Sequence, residues 1–180
     1  SKSWTEGFYG CARTDHVELE KYHEGLIICS ACIAGEVPEK ILHGDEKGAE
    51  EALLWYKGVF GDDYYIELQR HEVKNPNIRA NRETFPLQQQ ANAKLIELAR
   101  KHDVKLICTN DCHFVDEENA EAHDRLLCLS TGKDLNDPTR MLYSKQEWFK
   151  TREEMNEVFA DIPEALANTC EILDKVETYS

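Results

Sequence analysis

The sequence contains little positive charge for a protein of its length. Its 180 residues include 21 Lys and Arg against 35 Asp and Glu, which gives a formal net charge of -14 at pH 7. Proteins that grip nucleic acid neutralise its phosphates with clustered Lys and Arg. The composition therefore makes this chain a poor candidate for holding nucleic acid by itself. If the protein acts close to DNA, another protein surface must bind the DNA phosphates.

The chain also lacks long apolar runs. No stretch approaches the roughly 20 apolar residues that a membrane-spanning helix needs, and the N-terminus carries no signal-like apolar segment. With 41% hydrophobic and 31% charged residues, the balance is that of an ordinary soluble globular domain. We therefore expect a cytoplasmic protein without a membrane partner.

A glycine-rich phosphate loop and a serine nucleophile elbow are absent as well. The seven cysteines are odd in number and several lie in apolar runs, which argues against a secreted disulfide framework. Cys29 and Cys32 have the spacing of half a zinc knuckle, but the sequence has no second Cys or His pair at matching spacing. A closed structural zinc site is therefore not predicted.

Three short β-prone runs alternate with two helical patterns in the first two thirds of the chain. The runs are Leu26–Cys29, Tyr64–Leu68 and Val104–Cys108, each flanked by turn residues. Apolar residues recur at helical spacing from about residue 46 to 60 and from about 84 to 102. Strands separated by helices of this length predict an α/β fold whose parallel strands are joined by crossover helices.

The last third is predicted to be mostly helical. The predicted helices begin near Glu117, Ser144, Thr151 and Pro163. Ser144 and Thr151 are each followed three residues later by Glu, the pattern of a capping box, and Asp161 is the expected cap of the final helix. We therefore divide the chain into an α/β body, residues 1–116, and a helical extension, residues 117–180.

The α/β body is small for a parallel architecture. Parallel sheets normally have more than three strands and both faces covered. The first residue is not Met, and residues 1–15 carry no clear strand. We therefore expect that the chain begins inside a larger fold. The sheet edge that this leaves exposed would favour self-association of the fragment.

Metal-ligand residue types collect where the predicted strands end, which is where parallel α/β folds place their functional residues. The third strand is followed by Asp111, Cys112 and His113. Residues two apart on an extended segment share a side, so Asp111 and His113 are predicted to face together while Cys112 faces away. A carboxylate and an imidazole form a usable metal-binding pair, which the thiolate of Cys32 after the first strand can join. Zn, Mn or Fe would each tolerate these ligands.

Each of these residues can also be explained by a purely structural role. Asp111 can cap the next helix and bond a loop, and Cys32 is explained more simply as a buried, inert thiol. His71 stands between two charged residues, which favours an exposed loop histidine over a ligand. His123 lies on the helix after the site, where packing or a hydrogen bond is the default expectation.

Four segments, in order, resemble one protein family over nearly the whole chain, from about Gly7 to Ile172. They are GLIICSACIAGEVPEKIL, FGDDYYIELQRH, LIELARKHDVKLICTNDCHFVDEENAEAHDRLLCLSTGKDLNDP and EEMNEVFADIPEALANTCEI. These segments are similar to the alpha subunit of bacterial DNA polymerase III, a replicative polymerase. They resemble the C-terminal part of its PHP (polymerase and histidinol phosphatase) domain and the segment that leads to the palm.

The resemblance implies a fold and a metal cluster. The PHP domain of this family is a distorted (β/α)7 barrel with metals at its strand ends, so the chain is expected to form a partial barrel with parallel strands, followed by a mostly helical extension. The SGC and TNDxH strand ends of the family supply metal ligands. They correspond here to Cys32, Asp111 and His113, with Ala31 in place of the family's Gly. The intact site is expected to bind a divalent metal, Zn, Mn or Mg.

Other functional parts of the family match no residue of this chain. The family's N-terminal His-X-His pair and further ligands lie upstream, and the palm carboxylates, the fingers and the clamp-binding segment are not among these 180 residues. We therefore expect that the fragment does not polymerise DNA and lacks most of the metal cluster. Its own metal site would be empty and its nuclease activity absent or very weak.

The function implied by the resemblance is that of a fragment of the catalytic alpha subunit, a DNA-directed DNA polymerase. Its PHP region would perform metal-dependent 3′–5′ exonuclease proofreading or scaffold a separate proofreading subunit. The partners implied for the whole protein are DNA, dNTPs, the sliding clamp, and proofreading and other replisome subunits. The alternative is a stand-alone PHP-type phosphoesterase, against which the helical segment after Asp116 counts. A third interpretation is a binding module without chemistry of its own.

Overall fold

A three-stranded parallel sheet lies at the centre of the computed structural model, which describes residues 2–73, 79 and 83–178. Its strands, in spatial order, are β1 (Ile28–Cys29), β2 (Tyr64–Leu68) and β3 (Lys105–Cys108). Ile28 lies opposite Tyr64, and Tyr65 lies opposite Lys105. The predicted parallel sheet is confirmed, whereas a full barrel is not formed by the described residues.

Helices connect the strands and continue after them. In chain order they are α1 (Lys2–Thr5), α2 (His16–Lys21), α3 (Glu36–Leu42), α4 (Glu46–Phe60), α5 (Phe85–Lys101), α6 (Ala120–Thr131), α7 (Arg152–Val158) and α8 (Pro163–Lys175). Short 3-10 turns, Gly61–Asp63 and Glu117–Asn119, precede β2 and α6. Because α3 and α4 join β1 to β2 and α5 lies between β2 and β3, the predicted crossover helices are confirmed. Among the described residues, no helix is both long and apolar enough to cross a bilayer.

Helix α4 illustrates how the sequence sets these elements. The side chain of Asp45 accepts a hydrogen bond from the Gly48 N–H at 2.9 Å and so caps the first turn. Ala49 and Leu53, four residues apart on one face, are fully buried. Gly61 follows the last turn with a φ of 56° and a ψ of -122°, a backbone conformation that favours glycine. The helix therefore begins and ends where its sequence predicts.

The core is shared by the sheet and by helices from both parts of the chain. Ile66 and Leu68 of β2 are buried together with the apolar sides of α4 and α5. Phe159 and Ile162, which follow the predicted boundary at residue 116, belong to the same buried cluster. The helical extension therefore packs on the sheet, and the division of the chain at residue 116 stays a prediction.

The two edges of the sheet are formed by β1 and β3. Helix α8 lies along β3, where Nδ2 of Asn168 donates to the backbone oxygen of Leu106 at 2.9 Å. Lys105 at the start of β3 also pairs with Glu171 of this helix at 2.6 Å. Helix α8 therefore contacts the β3 edge of the described sheet, and self-association through a sheet edge stays a prediction.

The prediction of a helix that begins at Ser144 is wrong. The Ser144 N–H and Oγ both donate to Oε1 of Glu147, at 3.0 and 2.6 Å, which is one half of the predicted capping box, while the Ser144 Oγ accepts from the Gln146 N–H at 3.0 Å. Between them Lys145 adopts a left-handed backbone with a φ of 69°, which turns the chain away from a helix. Trp148 then forms an isolated β-bridge with Phe114. The segment is therefore a connection held against the end of β3.

Helix α7 begins as predicted after Thr151, whose side chain forms a capping box with Glu154. The prediction that Asp161 caps α8 is wrong, because Ile162 occupies the N-cap position of this helix. Both carboxylate oxygens of Asp161 instead accept from Arg70, at 2.6 and 2.9 Å. This bidentate pair joins the end of β2 to the helical extension.

Candidate functional site

The turn after β1 presents the predicted ligand Cys32. Ser30 ends the strand with two hydrogen bonds to β2, since its N–H donates to the Tyr65 oxygen at 3.0 Å and its Oγ accepts from the Glu67 N–H at 2.8 Å. Ala31 follows with a left-handed φ of 62°. The half-buried Cys32 comes next and lines the same small cavity as Glu67. The thiol therefore lies near the carboxyl ends of the first two strands.

Replacing Ala31 by Gly is expected to stabilise the protein. A left-handed backbone brings an alanine Cβ too close to the following carbonyl oxygen, whereas glycine adopts it freely. We expect the free energy of unfolding, measured by urea denaturation, to rise by about 1 kcal/mol. Ala34→Gly is the matched control, because Ala34 is exposed in the same turn without a positive φ and should lose up to about 1 kcal/mol. A loss of stability in Ala31→Gly would contradict the conclusion that the backbone of Ala31 is strained.

Asp111 and His113 lie together after the end of β3, as their spacing predicts. Asp111 Oδ1 and His113 Nε2 are 3.5 Å apart, and the two side chains are 38% and 33% exposed. Cys112 is directed elsewhere, with its Sγ 3.4 Å from the Trp148 oxygen. Asp111 has a left-handed φ of 46°. The pair is therefore accessible to a ligand.

The third predicted ligand, Cys32, is not brought into a metal-binding group with this pair. Within residues 2–73, 79 and 83–178, no three His, Cys, Asp or Glu side chains gather closely enough to hold a metal ion. Zinc sites in proteins use at least three protein ligands. The Asp111–His113 pair therefore fits part of a metal site, and the described residues do not complete it.

Two residues outside the predicted ligand set pack on His113. The ring centroid of Tyr143 lies 4.5 Å from that of His113. His123 lies 5.5 Å from His113 and 5.1 Å from Tyr143, in agreement with the packing role expected for a helix histidine. Sequence analysis missed Tyr143, because it stands in a connecting segment and reaches the site only through the fold.

The phenol of Tyr143 has a raised pKa. Burial is the main cause, and charge interactions with Asp111, Glu147 and Cys32 raise this pKa further. Because the strands are parallel, Cys32 after β1 and Asp111 after β3 lie at the same end of the sheet.

The prediction that His71 is an exposed loop histidine is wrong, because its side chain is buried and the residue is only 3% exposed. Its Nε2 lies 3.0 Å from the Asn110 oxygen, and its Nδ1 accepts from Nε2 of Gln88 at 3.0 Å. Oε1 of the same amide accepts from the His71 N–H at 2.8 Å, which fixes the amide orientation. Nε2 therefore carries the proton. Burial lowers the pKa of His71, so the imidazole is neutral at pH 7.

Glu147 is a second buried polar residue whose burial the sequence does not predict. Its side chain is 2% exposed, and its Oε1 accepts from Ser144. Oε2 has no hydrogen-bond partner among the described residues. The neutral His71 lies 3.5 Å from Oε1 and makes no ion pair with it. Because buried polar groups nearly always have partners, this oxygen indicates a constraint other than packing.

Comparison with known proteins relates the chain to one group of replication proteins. A family model described as PHP domain matches residues 1–71. The DNA polymerase III subunit alpha of Borreliella burgdorferi is 41% identical over 180 residues, and the match covers 99% of this chain. The subunits of the same name from Campylobacter jejuni and Treponema pallidum are 41% and 36% identical, and each match covers 97% of this chain.

These matches occupy a small part of the relatives. The chain spans 15% of the Borreliella burgdorferi protein and 14% of each of the other two. The PHP domain match ends at His71, before Asp111 and His113. The subunit match extends over 99% of the chain, so the pair lies within the matched region.

Proposed function

We propose a function from one premise: the chain belongs to the family of DNA polymerase III alpha subunits. It is a segment of the catalytic subunit of a bacterial replicative DNA polymerase, and the whole protein performs DNA-templated DNA synthesis. The segment itself supplies part of the PHP domain and the helices that lead toward the palm. The observation that carries this proposal is the 41% identity to such a subunit over 99% of the chain.

Within this proposal the sheet is a portion of a (β/α)7 barrel. Residues 1–116 belong to the PHP domain, and residues 117–180 lead onward from it. The three parallel strands with crossover helices support this assignment. The packing of α8 against β3 supports a helical extension that is anchored on the barrel.

Cys32, Asp111 and His113 supply part of a divalent-metal site in the intact PHP domain, with Zn, Mn or Mg as the ion. The 3.5 Å separation of Asp111 and His113 at one strand end supports this assignment. Cys32 follows β1 as Asp111 follows β3, and because these strands are parallel, this supports a position of the thiol at the same end of the sheet. The remaining ligands belong to other parts of the whole protein, since the described residues do not complete a site.

The PHP region of the whole protein either removes 3′ nucleotides itself or scaffolds a separate proofreading subunit. The net charge of -14 on this chain supports the binding of DNA and dNTPs by other parts of the polymerase. The sliding clamp and the other replisome subunits are further partners of the whole protein, which works in the cytoplasm.

A stand-alone PHP-type phosphoesterase is the alternative from another enzyme class. The similarity to polymerase subunits continues through the helices after Asp116. Phe159 and Ile162 of that region belong to the core that also contains the sheet. Both observations favour the polymerase segment over the phosphoesterase.

The full-length protein that carries this segment tests the proposal. It is expected to extend a DNA primer with dNTPs. Asp111→Asn and His113→Ala are each expected to lower its affinity for the bound metal by at least about tenfold, because each removes a ligand. Metal content is measured by mass spectrometry, and the nuclease rate is measured on single-stranded DNA with a free 3′ end.

His43→Ala is the matched control, because His43 is an exposed histidine whose Nδ1 lies 2.8 Å from the Glu39 oxygen of its own helix. Its metal content is expected to stay unchanged. A full-length protein that extends no primer contradicts the polymerase function. Unchanged metal content in both ligand variants contradicts the ligand assignment. Nuclease activity that falls together with the metal supports proofreading by the PHP region itself, whereas metal loss without a nuclease change supports the scaffold.

A further inference from the structure

A short segment of the helical extension is bonded to residues on both sides of Asp111. Residues 143–148, which we call the strap, run alongside residues 110–114 after the end of β3. We propose that the strap positions the Asp111–His113 pair, with Glu147 holding the backbone of the pair and Tyr143 holding the imidazole ring of His113. This inference rests on the proposed function, which gives the pair its role as ligands.

Hydrogen bonds tie the strap to the neighbours of Asp111 in the chain. The His113 N–H donates to the Glu147 oxygen at 2.8 Å. On the other side, Nδ2 of the buried Asn110 donates to the backbone oxygens of the residues before and after Glu147, at 2.8 and 2.7 Å. Asp111 is held between these contacts in a left-handed conformation that persists only where the surroundings enforce it. The strap therefore determines the direction in which the carboxylate leaves the chain.

The side chain of Glu147 holds the strap in its bent shape. Its Oε1 accepts from the N–H and the Oγ of Ser144, which closes a turn around the left-handed Lys145. Ser144 and Glu147 are only 1% and 2% exposed. Loss of the carboxyl group would leave both Ser144 donors buried without a partner. The turn is therefore expected to open when Glu147 is truncated.

Tyr143 packs against the imidazole ring of His113. Their centroids are 4.5 Å apart, and the ring planes are inclined by 60°. His123 from α6 lies 5.1 Å from Tyr143, with the two planes at 77°, and 5.5 Å from His113. Three rings in mutual contact leave His113 few orientations. In this orientation its Nε2 lies 3.5 Å from Oδ1 of Asp111.

Core packing does not account for these contacts. The His113 side chain is 33% exposed, and Tyr143 is half-buried. Neither belongs to the buried cluster that joins the sheet to the helices. The ring contacts therefore restrict the orientation of His113 more than they stabilise the fold, which makes Tyr143 a positioning residue.

NMR of the 180-residue chain tests the ring contact without any metal. With isotope-labelled histidine and tyrosine, an NOE between the rings of His113 and Tyr143 is expected. Tyr143→Phe is expected to keep the ring resonances of His113, because a phenyl ring preserves the contact. Tyr143→Ala is expected to move the ring resonances of His113 and His123. Phe149→Ala, which truncates an exposed ring directly after the strap, is the control and should leave them in place.

Hydrogen exchange tests the backbone contact. The exchange of the His113 amide hydrogen is expected to accelerate by at least about tenfold in Glu147→Ala, because the segment that supplies its acceptor loses its shape. Glu147→Gln keeps an acceptor oxygen and is expected to restore most of the protection. If Glu147→Ala does not fold, Glu147→Gln and Tyr143→Ala decide the question. Equal acceleration throughout β2 would indicate general unfolding and would overturn a local positioning role.

Metal binding by the full-length protein separates this inference from the proposed function. If the wild type binds Zn²⁺, Tyr143→Ala is expected to weaken the affinity by about 10-fold to 100-fold, and Tyr143→Phe is expected to restore it. If the wild type binds no metal, the assignment of Asp111 and His113 as ligands is contradicted. The NMR and hydrogen-exchange results then still test whether the strap positions this pair. Unchanged His113 resonances in Tyr143→Ala, or unchanged exchange in Glu147→Ala, overturns the proposal.

Discussion

Replacing Phe159 by Ala is expected to lower the free energy of unfolding by about 3–5 kcal/mol, the range for truncating a buried aromatic side chain. Phe159 is 0% exposed and belongs to the cluster that includes Ile66 and Leu106 of the sheet. Its ring also lies 5.1 Å from the guanidinium of Arg70, so a cation–π contact is lost with it. Urea denaturation followed by circular dichroism measures the change.

Phe149→Ala is the control for this measurement, since the Phe149 ring is 73% exposed. Its truncation should change the free energy of unfolding by no more than about 0.5 kcal/mol. Both variants and the wild type are expected to unfold in a single transition, because the extension and the sheet share one core. Two separate transitions, or a loss below about 1 kcal/mol in Phe159→Ala, would show that residues 117–180 fold apart from the sheet.

Replacing Asn110 by Ala is expected to lower the free energy of unfolding by about 1–3 kcal/mol, because two hydrogen bonds from a buried side chain to part-buried backbone oxygens are lost. Asn110 is 5% exposed, and its Nδ2 donates to the Gln146 and Trp148 oxygens at 2.8 and 2.7 Å. The same contacts hold the strap to the end of β3. Urea denaturation followed by circular dichroism measures the loss.

Asn136→Ala provides the matched control, because Asn136 is exposed in the loop after α6. It should stay within about 0.5 kcal/mol of the wild type. If Asn110→Ala is as stable as Asn136→Ala, the hydrogen bonds of Asn110 do not hold the strap in solution. That outcome would also remove the backbone support proposed for Asp111.

Features that depend on local pattern could be predicted from the sequence. The strand Tyr64–Leu68 and the helix Glu46–Phe60 follow from β-prone runs, helical periodicity and flanking turn residues, which act over a few neighbours. The two-residue repeat of an extended segment predicted that Asp111 and His113 lie together, and they do, although Asp111 has a left-handed φ of 46° and the segment is not extended. Their use as metal ligands was suggested by their residue types and spacing and implied by the resemblance to a family, and it stays a prediction.

Features that depend on contacts distant in sequence could not be predicted in this way. His71 has charged neighbours in the chain, yet the fold buries it against Gln88 and Asn110. Asp161 has the local pattern of a helix cap, but Arg70, 91 residues earlier, competes for its carboxylate through two charge-assisted bonds. In both cases a partner from another element outweighs the local preference.

The strap shows the same limit at the site itself. Ser144 and Glu147 have the spacing of a capping box, and one of its two hydrogen bonds forms, from the Ser144 N–H to the Glu147 carboxylate. The bridge between Trp148 and Phe114 and the left-handed Lys145 replace the helix that this pattern normally begins. Local sequence therefore predicted a hydrogen bond correctly and the element around it wrongly, because the end of β3 captures the segment.

X-ray absorption at the metal edge of the full-length protein tests the central claim most directly, namely that Cys32, Asp111 and His113 belong to one metal site. With zinc bound, the wild type is expected to show a sulfur neighbour at about 2.3 Å together with nitrogen and oxygen neighbours at about 2.0–2.2 Å. The sulfur contribution should disappear in Cys32→Ser, and the imidazole contribution should decrease in His113→Ala. A metal-loaded protein whose spectrum contains no sulfur neighbour and is unchanged by both substitutions would contradict the claim.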